Sequence, residues 1–165
     1  MKRKSISSLF IFLLAAAIYG CGSSETSSSQ QSQASAATPP ASTETSAVSN
    51  PEDKSDSKGV GRFSSVEIGT LDAAMASKGE AVFTAKCAAC HKMTGEKLVG
   101  PGLKGVTQRR TPEWIMNMIT NPEEMTKNDP VAKALFEKHL VQMTFQNVSD
   151  EETRQVLEFF RKNDQ

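Results

Sequence analysis

Lys86-Cys87-Ala88-Ala89-Cys90-His91-Lys92 is the stretch on which the reading of this 165-residue chain turns. Two thiols three residues apart lie on one helical turn, with an imidazole beside the second. Three simple uses compete. A dithiol redox pair needs a preceding strand and a βαβ pattern, and neither is readable around residue 87. A zinc site drawing on Cys87, Cys90, His91 and His139 lacks the usual spacing of its two histidines. A disulfide between Cys87 and Cys90 closes too small a loop to staple a domain. With Cys21 the chain has three cysteines, an odd count that no intramolecular disulfide framework uses up.

Composition bounds what surrounds the motif. Lys plus Arg and Asp plus Glu are 19 each, and 38% of residues are apolar. Zero net charge without a long basic block argues against nucleic-acid binding. No run reaches the roughly 18 apolar residues of a membrane-spanning helix. The balance averages three unlike segments. Residues 1–20 carry Lys2, Arg3 and Lys4, no acid, and an apolar run of eleven residues from Leu9 to Tyr19. That pattern reads as an export signal, too short to cross a bilayer. Residues 21–60 read as a disordered linker: Gly22 to Lys58 holds 12 Ser in 37 residues and, among large apolar side chains, only Val48. Such a segment buries too little surface to offset its ordering entropy, and its typical reach is about 35 Å. Residues 61–165 are the foldable part.

That part reads as all-α, with four or five short helices. Thr70 is a candidate cap for the first, which carries Leu71, Met75, Val82 and Phe83. Thr111-Pro112-Glu113, Asn121-Pro122-Glu123-Glu124 and Asp129-Pro130 each open a helix, with proline at the first helical position, where a missing N–H costs nothing. Ser149 with Glu152 forms a capping box ahead of Val156, Leu157, Phe159 and Phe160. Helices this short, around a Gly- and Pro-rich loop from Gly95 to Gly105, leave a hundred-residue domain marginal by itself. Something else fills the middle.

C-x-x-C-H is the attachment signature of a c-type haem, and it supplies that filling. The thiols of Cys87 and Cys90 reach the two vinyl groups of one porphyrin, and the imidazole of His91 is placed over the iron. Export fits, because c-type haem is attached outside the cytoplasm. The signal ends in Ile18-Tyr19-Gly20-Cys21, which resembles the lipobox of bacterial lipoproteins. The resemblance implies cleavage before Cys21 and lipidation of that cysteine, although Tyr19 replaces the usual small or β-branched residue.

Residues 70–163 resemble the class I cytochrome c family. The match lies in Lys78-Gly79-Glu80-Ala81-Val82-Phe83, the haem motif itself, Gly100-Pro101-Gly102-Leu103-Lys104-Gly105, a Met-containing loop, and the helix beginning Ser149-Asp150-Glu151-Glu152. The resemblance implies a small cytochrome c fold around one covalent haem. It implies that Gly79 lets the first and last helices approach, that Phe83 packs beside the haem, and that Phe159 or Phe160 joins it. It also implies that the Pro101 carbonyl accepts a hydrogen bond from His91. Trp114 and Arg109 or Arg110 are candidates for the propionates. Among the remaining methionines, Met143 lies in the loop before the capped terminal helix, where family ligands lie, and is the leading sixth ligand. His139 and Met125 stay open as alternatives.

Two function classes follow. His/Met coordination fills both axial positions and leaves outer-sphere electron transfer as the natural activity. An open or displaceable sixth position would instead suit a haem enzyme or a gas-binding module. The expected protein is a lipid-anchored electron carrier, not an enzyme, facing the periplasm or cell exterior. Its partners would be redox proteins, such as a quinol-oxidising complex as donor and a terminal oxidase or periplasmic reductase as acceptor. A surplus of basic residues around the motif (Lys86, Lys92, Lys97, Lys104, Arg109 and Arg110 against Glu96) would steer an acidic partner.

Overall fold

A computed structural model describes residues 50–165. The residues read above as an export signal, Cys21 and the expected linker as far as residue 49 lie outside the described residues. Six helices form: α1 (Ala73–Lys86), α2 (Val106–Arg109), α3 (Pro112–Thr120), α4 (Pro122–Asn128), α5 (Pro130–His139) and α6 (Asp150–Asn163). Among the described residues there is no strand.

Each start has a local cause. Thr111 accepts from the Trp114 N–H, Asp129 accepts from the Ala132 N–H, and Ser149 and Glu152 cap one another reciprocally. Pro112, Pro122 and Pro130 stand in the first turns of α3, α4 and α5. The cap of α1 is Asp72 rather than Thr70, because the Asp72 carboxylate accepts from both Ala74 and Met75 N–H at 2.9 Å. The single-turn α2, which the sequence reading did not contain, brings the count to six.

The frame is α1 crossing α6, the most extensive helix–helix contact in the domain. Gly79 makes the crossing possible: a Cβ there would lie 2.0 Å from the Gln155 carbonyl oxygen. α6 turns Val156, Leu157 and Phe160 inward, each 4% exposed or less. Burying a Val, Leu or Phe side chain is worth roughly 1.5–3 kcal/mol, so α6 is a major apolar support of the domain. Phe83 of α1 stacks with Phe159 and Phe160 at 5.4 and 5.9 Å between ring centres. Trp114, Ile115, Met116 and Ile119 of α3 complete the core with Met125, Val131 and Val148.

The boundary of the foldable part moves. Residues 50–60, assigned above to the linker, lie against the helices. Arg110 donates to the carbonyls of Pro51 and Asp53, Thr111 Oγ1 to that of Ser57 at 2.7 Å, and Asn117 Nδ2 to that of Lys58 at 3.0 Å. Ser57 Oγ donates to Asp129 at 2.6 Å. Gly59, at φ 70°, sits directly over Met125, whose sulfur accepts the Val60 N–H at 2.9 Å. The segment has a linker's composition, yet it is held by its backbone carbonyls, which composition does not reveal.

Candidate functional site

The C-terminus of α1 delivers the two thiols. Cys87 caps the helix through its N–H to Phe83, and the backbone then turns so that Cys90 and His91 N–H both donate to the Cys87 carbonyl at 3.0 Å. Both cysteines are free, Cys87 partly buried and Cys90 exposed. Burial pushes the Cys87 thiol above its ordinary value.

His91 is fixed by the loop that follows. Its Nδ1 lies 2.9 Å from the Pro101 carbonyl oxygen. A carbonyl only accepts, so Nδ1 carries the proton and Nε2 keeps a free lone pair. Burial lowers the imidazole's proton affinity, which the Pro101 contact partly opposes; the ring is therefore neutral near pH 7. Gly100 presses flat against it: a Cβ there would lie 2.5 Å from Cε1. The loop itself is tied back by Gly100 N–H to the Cys90 carbonyl at 2.9 Å and by Leu103 N–H to that of Lys92 at 2.8 Å. A second-sphere carbonyl of this kind sets tautomer, orientation and basicity of a metal-ligating histidine.

Cys87, Cys90, His91, Pro101 and Met143 all line one cavity, together with Ile115, Met118, Leu135, His139, Val156 and Phe160. The sequence candidates therefore separate. Met143 and His139 face this cavity. Met125 is fully buried beneath Gly59 and Val60 and is not among the lining residues. Phe160 lines the cavity whereas Phe83 and Phe159 stack behind it. Trp114 reaches the wall, but its Nε1–H is committed to Asp129 at 2.9 Å. Sequence reasoning missed Glu52, which also lines the cavity and pairs with Arg109 at 3.6 Å and Lys138 at 3.1 Å. Nothing in the composition around residue 52 signals it.

The basic surplus near the motif is thinner than the sequence suggests. Lys86 pairs with Glu152 at 3.0 Å, Lys92 with Glu96 at 2.9 Å, and Arg110 is buried. Lys97 and Lys104 are the exposed cations of that stretch without an ion pair among the described residues. Exposed apolar side chains rim the cavity instead: Val99, Phe136 and Val141 line its edge, with Leu98, Leu140 and Phe145 nearby in the chain. Among the described residues no cluster of three or more His, Cys, Asp or Glu could hold a bare metal ion, so the zinc alternative has no support.

Residues 76–164 match the cytochrome c family. The chain belongs to that family. Cytochrome c from Rhodothermus marinus superposes with a TM-score of 0.61 at 39% identity, over 62% of this chain and 89% of that one. An engineered form of that cytochrome, described as bound to a carbene intermediate, superposes at 0.58 and 38% identity, over 62% and 89%. A cytochrome c-553-like protein of Synechocystis is 36% identical over 62 residues, or 30% of this chain. The match spans 59% of that curated relative's length.

The cofactor of the family is covalently attached haem c, and this cytochrome's residues fit it. The lone pair of His91 Nε2 is free, the Gly100 backbone lies flat on the ring, and His139 Nε2 is a buried polar atom left without a partner. Cys87 and Cys90 would hold the porphyrin and His91 its iron. Bound there, the haem supplies a one-electron Fe(III)/Fe(II) couple.

Proposed function

We propose that this protein is a one-electron carrier, a monohaem cytochrome exported as a lipoprotein and held at a membrane through lipidated Cys21. His91 and Met143 are its axial ligands. The observation that carries the reading is the single cavity lined by Cys87, Cys90, His91, Pro101 and Met143. With both axial positions filled from the protein, iron has nothing further to bind, and electron transfer through the porphyrin edge is the activity left. A thioether ligand favours Fe(II) relative to a second imidazole.

This chain's residues divide the work. Pro101 keeps the His91 proton on Nδ1, and the apolar wall of Ile115, Leu135, Val156 and Phe160 excludes water, which keeps reorganisation on electron transfer small. The exposed apolar rim, with Lys97 and Lys104, forms the docking surface for an acidic redox protein, such as a quinol-oxidising complex on the donor side and a terminal oxidase or periplasmic reductase on the acceptor side. The alternative is a haem enzyme or gas-binding module whose sixth ligand is displaced. It draws on the irregular chain around Met143, which has no helix between residues 140 and 149.

A spectrum of the purified ferric protein decides. Methionine ligation gives a weak far-red band, and an open site gives none. Fractionation tests the anchor: the wild-type protein stays with membranes after a high-salt wash, and Cys21→Ala releases it with an unchanged haem spectrum. Retention of that variant would defeat the lipoprotein assignment.

A further inference from the structure

Residues 141–148, which carry Met143, make no backbone–backbone hydrogen bond among the described residues. Without such a ladder, the position of the stretch rests on its side chains. Val141 and residues 144–147 are exposed, so Gln142, Met143 and the buried Val148 are what the stretch turns inward. Among the described residues, two side-chain hydrogen bonds tie it to the helices. Lys86 Nζ reaches the Asn147 carbonyl at 2.9 Å, four residues beyond Met143. The other tie lies directly beside Met143. Gln142 Nε2 donates to Thr126 Oγ1 at 3.1 Å and also to the Met143 carbonyl at 2.8 Å.

This contact is directional. Thr126 Oγ1 donates its own hydrogen to the Pro122 carbonyl at 2.8 Å, so toward Gln142 it offers a lone pair. The Met143 carbonyl can only accept. Both partners therefore demand the amide nitrogen, which has one hydrogen for each, and turning the amide over would set its oxygen against two acceptors. Thr126 gives the contact a firm base. It follows Met125, which is fully buried and accepts the Val60 N–H, and α4 begins at the buried Pro122. Thr126, Gln142 and Met143 line the same cavity. Gln146 supplies the contrast: its Nε2 donates to the Thr144 carbonyl and hydroxyl, both at 3.0 Å, and so ties the stretch only to itself.

We propose that Gln142 is a positioning residue for the sixth ligand. By bridging Thr126 of α4 to the Met143 carbonyl, it holds the Met143 side chain in the cavity and sets how readily an outside ligand displaces it. The proposal rests on the carrier reading above, in which Met143 ligates the iron. Gln142 acts through the backbone of its neighbour. With the bridge made, the site stays closed and carries electrons. With it broken, the site moves toward the open form that a ligand-binding haem protein needs.

The test is displacement of Met143 by imidazole in the full ferric holoprotein, followed as loss of the far-red band at one fixed imidazole concentration. Gln142→Leu, similar in size but without a donor, speeds the loss about tenfold, and Thr126→Val about fivefold, as expected for losing one or two net hydrogen bonds. Thr126→Ser keeps the hydroxyl and Gln146→Ala removes only bonds internal to the stretch, so both stay within about twofold of wild type. The double variant Gln142→Leu with Thr126→Val is no faster than Gln142→Leu alone, because both changes remove one contact. A Gln142→Leu protein that keeps covalent haem and its denaturation midpoint but has no far-red band shows the same effect at its extreme. Unchanged rates in Gln142→Leu and Thr126→Val overturn the proposal. So does a Gln146→Ala protein as fast as Gln142→Leu, which would mark a general slackening of the loop. A wild-type protein lacking covalent haem or the far-red band defeats the carrier reading itself. One with both, whose rates ignore Gln142 and Thr126, defeats only the positioning role.

Discussion

The two walls of the haem cavity are built differently. On the attachment side, residues 83–105 are laced by short backbone hydrogen bonds and backed by the α1–α6 crossing, with His91 gripped between Gly100 and Pro101. On the other side, residues 140–148 form no helix, and Leu140 and Asn147 both adopt left-handed backbone angles, φ 55° and 52°. That stretch is tied down by scattered contacts, such as Gln142 Nε2 to Thr126 Oγ1 at 3.1 Å and Lys86 Nζ to the Asn147 carbonyl at 2.9 Å. Local stability follows the density of buried contacts and protected hydrogen bonds. His91 is therefore held by a rigid wall and Met143, the proposed second ligand, by an adjustable one.

The largest effect comes from removing what both walls enclose. Cys87→Ser with Cys90→Ser leaves residues 70–163 without covalent haem, and cooperative unfolding is lost, measured by circular dichroism on heating. A cooperative transition in the haem-free double variant would show that the attachment wall stands unaided. Next is Gly79→Leu. The added side chain meets the α6 backbone, not a flexible tip, so the cost exceeds the 1–3 kcal/mol of ordinary overpacking, and haem incorporation drops sharply. Full incorporation with an unchanged denaturation midpoint would contradict the close crossing.

Met143→Ala sharpens the contrast from the other side. The far-red band disappears and the potential falls, while thermal stability declines far less than in Gly79→Leu. A global loss of fold would mean that the loop is no softer than the attachment wall. Acid titration separates the walls again. Glu158 on α6 is fully buried. Burial disfavours its charge, but Arg154, the Asp72 N–H and Arg161 outweigh this and lower its pKa from 4.5. A lowered carboxyl pKa contributes stability above the unfolded value that is lost as pH falls through the folded one. The midpoint of unfolding therefore drops below about pH 4.5, and Glu158→Gln flattens that dependence while lowering stability at pH 7. The smallest effect is Leu140→Gly. Leu140 is 78% exposed, so little burial is lost, and relief of a left-handed leucine at the end of α5 stabilises by up to about 1 kcal/mol in denaturant titration.

Some of this could be read without coordinates. Thr111-Pro112, Asp129-Pro130 and the Ser149/Glu152 box mark helix starts because capping is settled within four residues of chain. The Cys87-Cys90-His91 motif likewise carries its chemistry in its own spacing, and the absence of alternating apolar stretches fits an all-helical domain. The short α2 leaves no distinctive local pattern, and Thr70 and Asp72 are both eligible caps, so the choice of Asp72 escaped.

Other assignments belonged to tertiary structure alone. Met125 and Met143 are equivalent as thioethers in a sequence, yet one lies sealed under Gly59 and the other lines the cavity. Arg110 carries the formal charge of any surface arginine, but it is buried against carbonyls more than fifty residues earlier in the chain. Glu52 stands in a segment with a linker's composition and ends beside His139. Local sequence determines where helices begin and which side chains can ligate a metal, since those depend on covalent neighbours. Which side chains share a cavity depends on how α1, α3, α5 and α6 bury their apolar faces together, and that is decided only when the chain closes on itself.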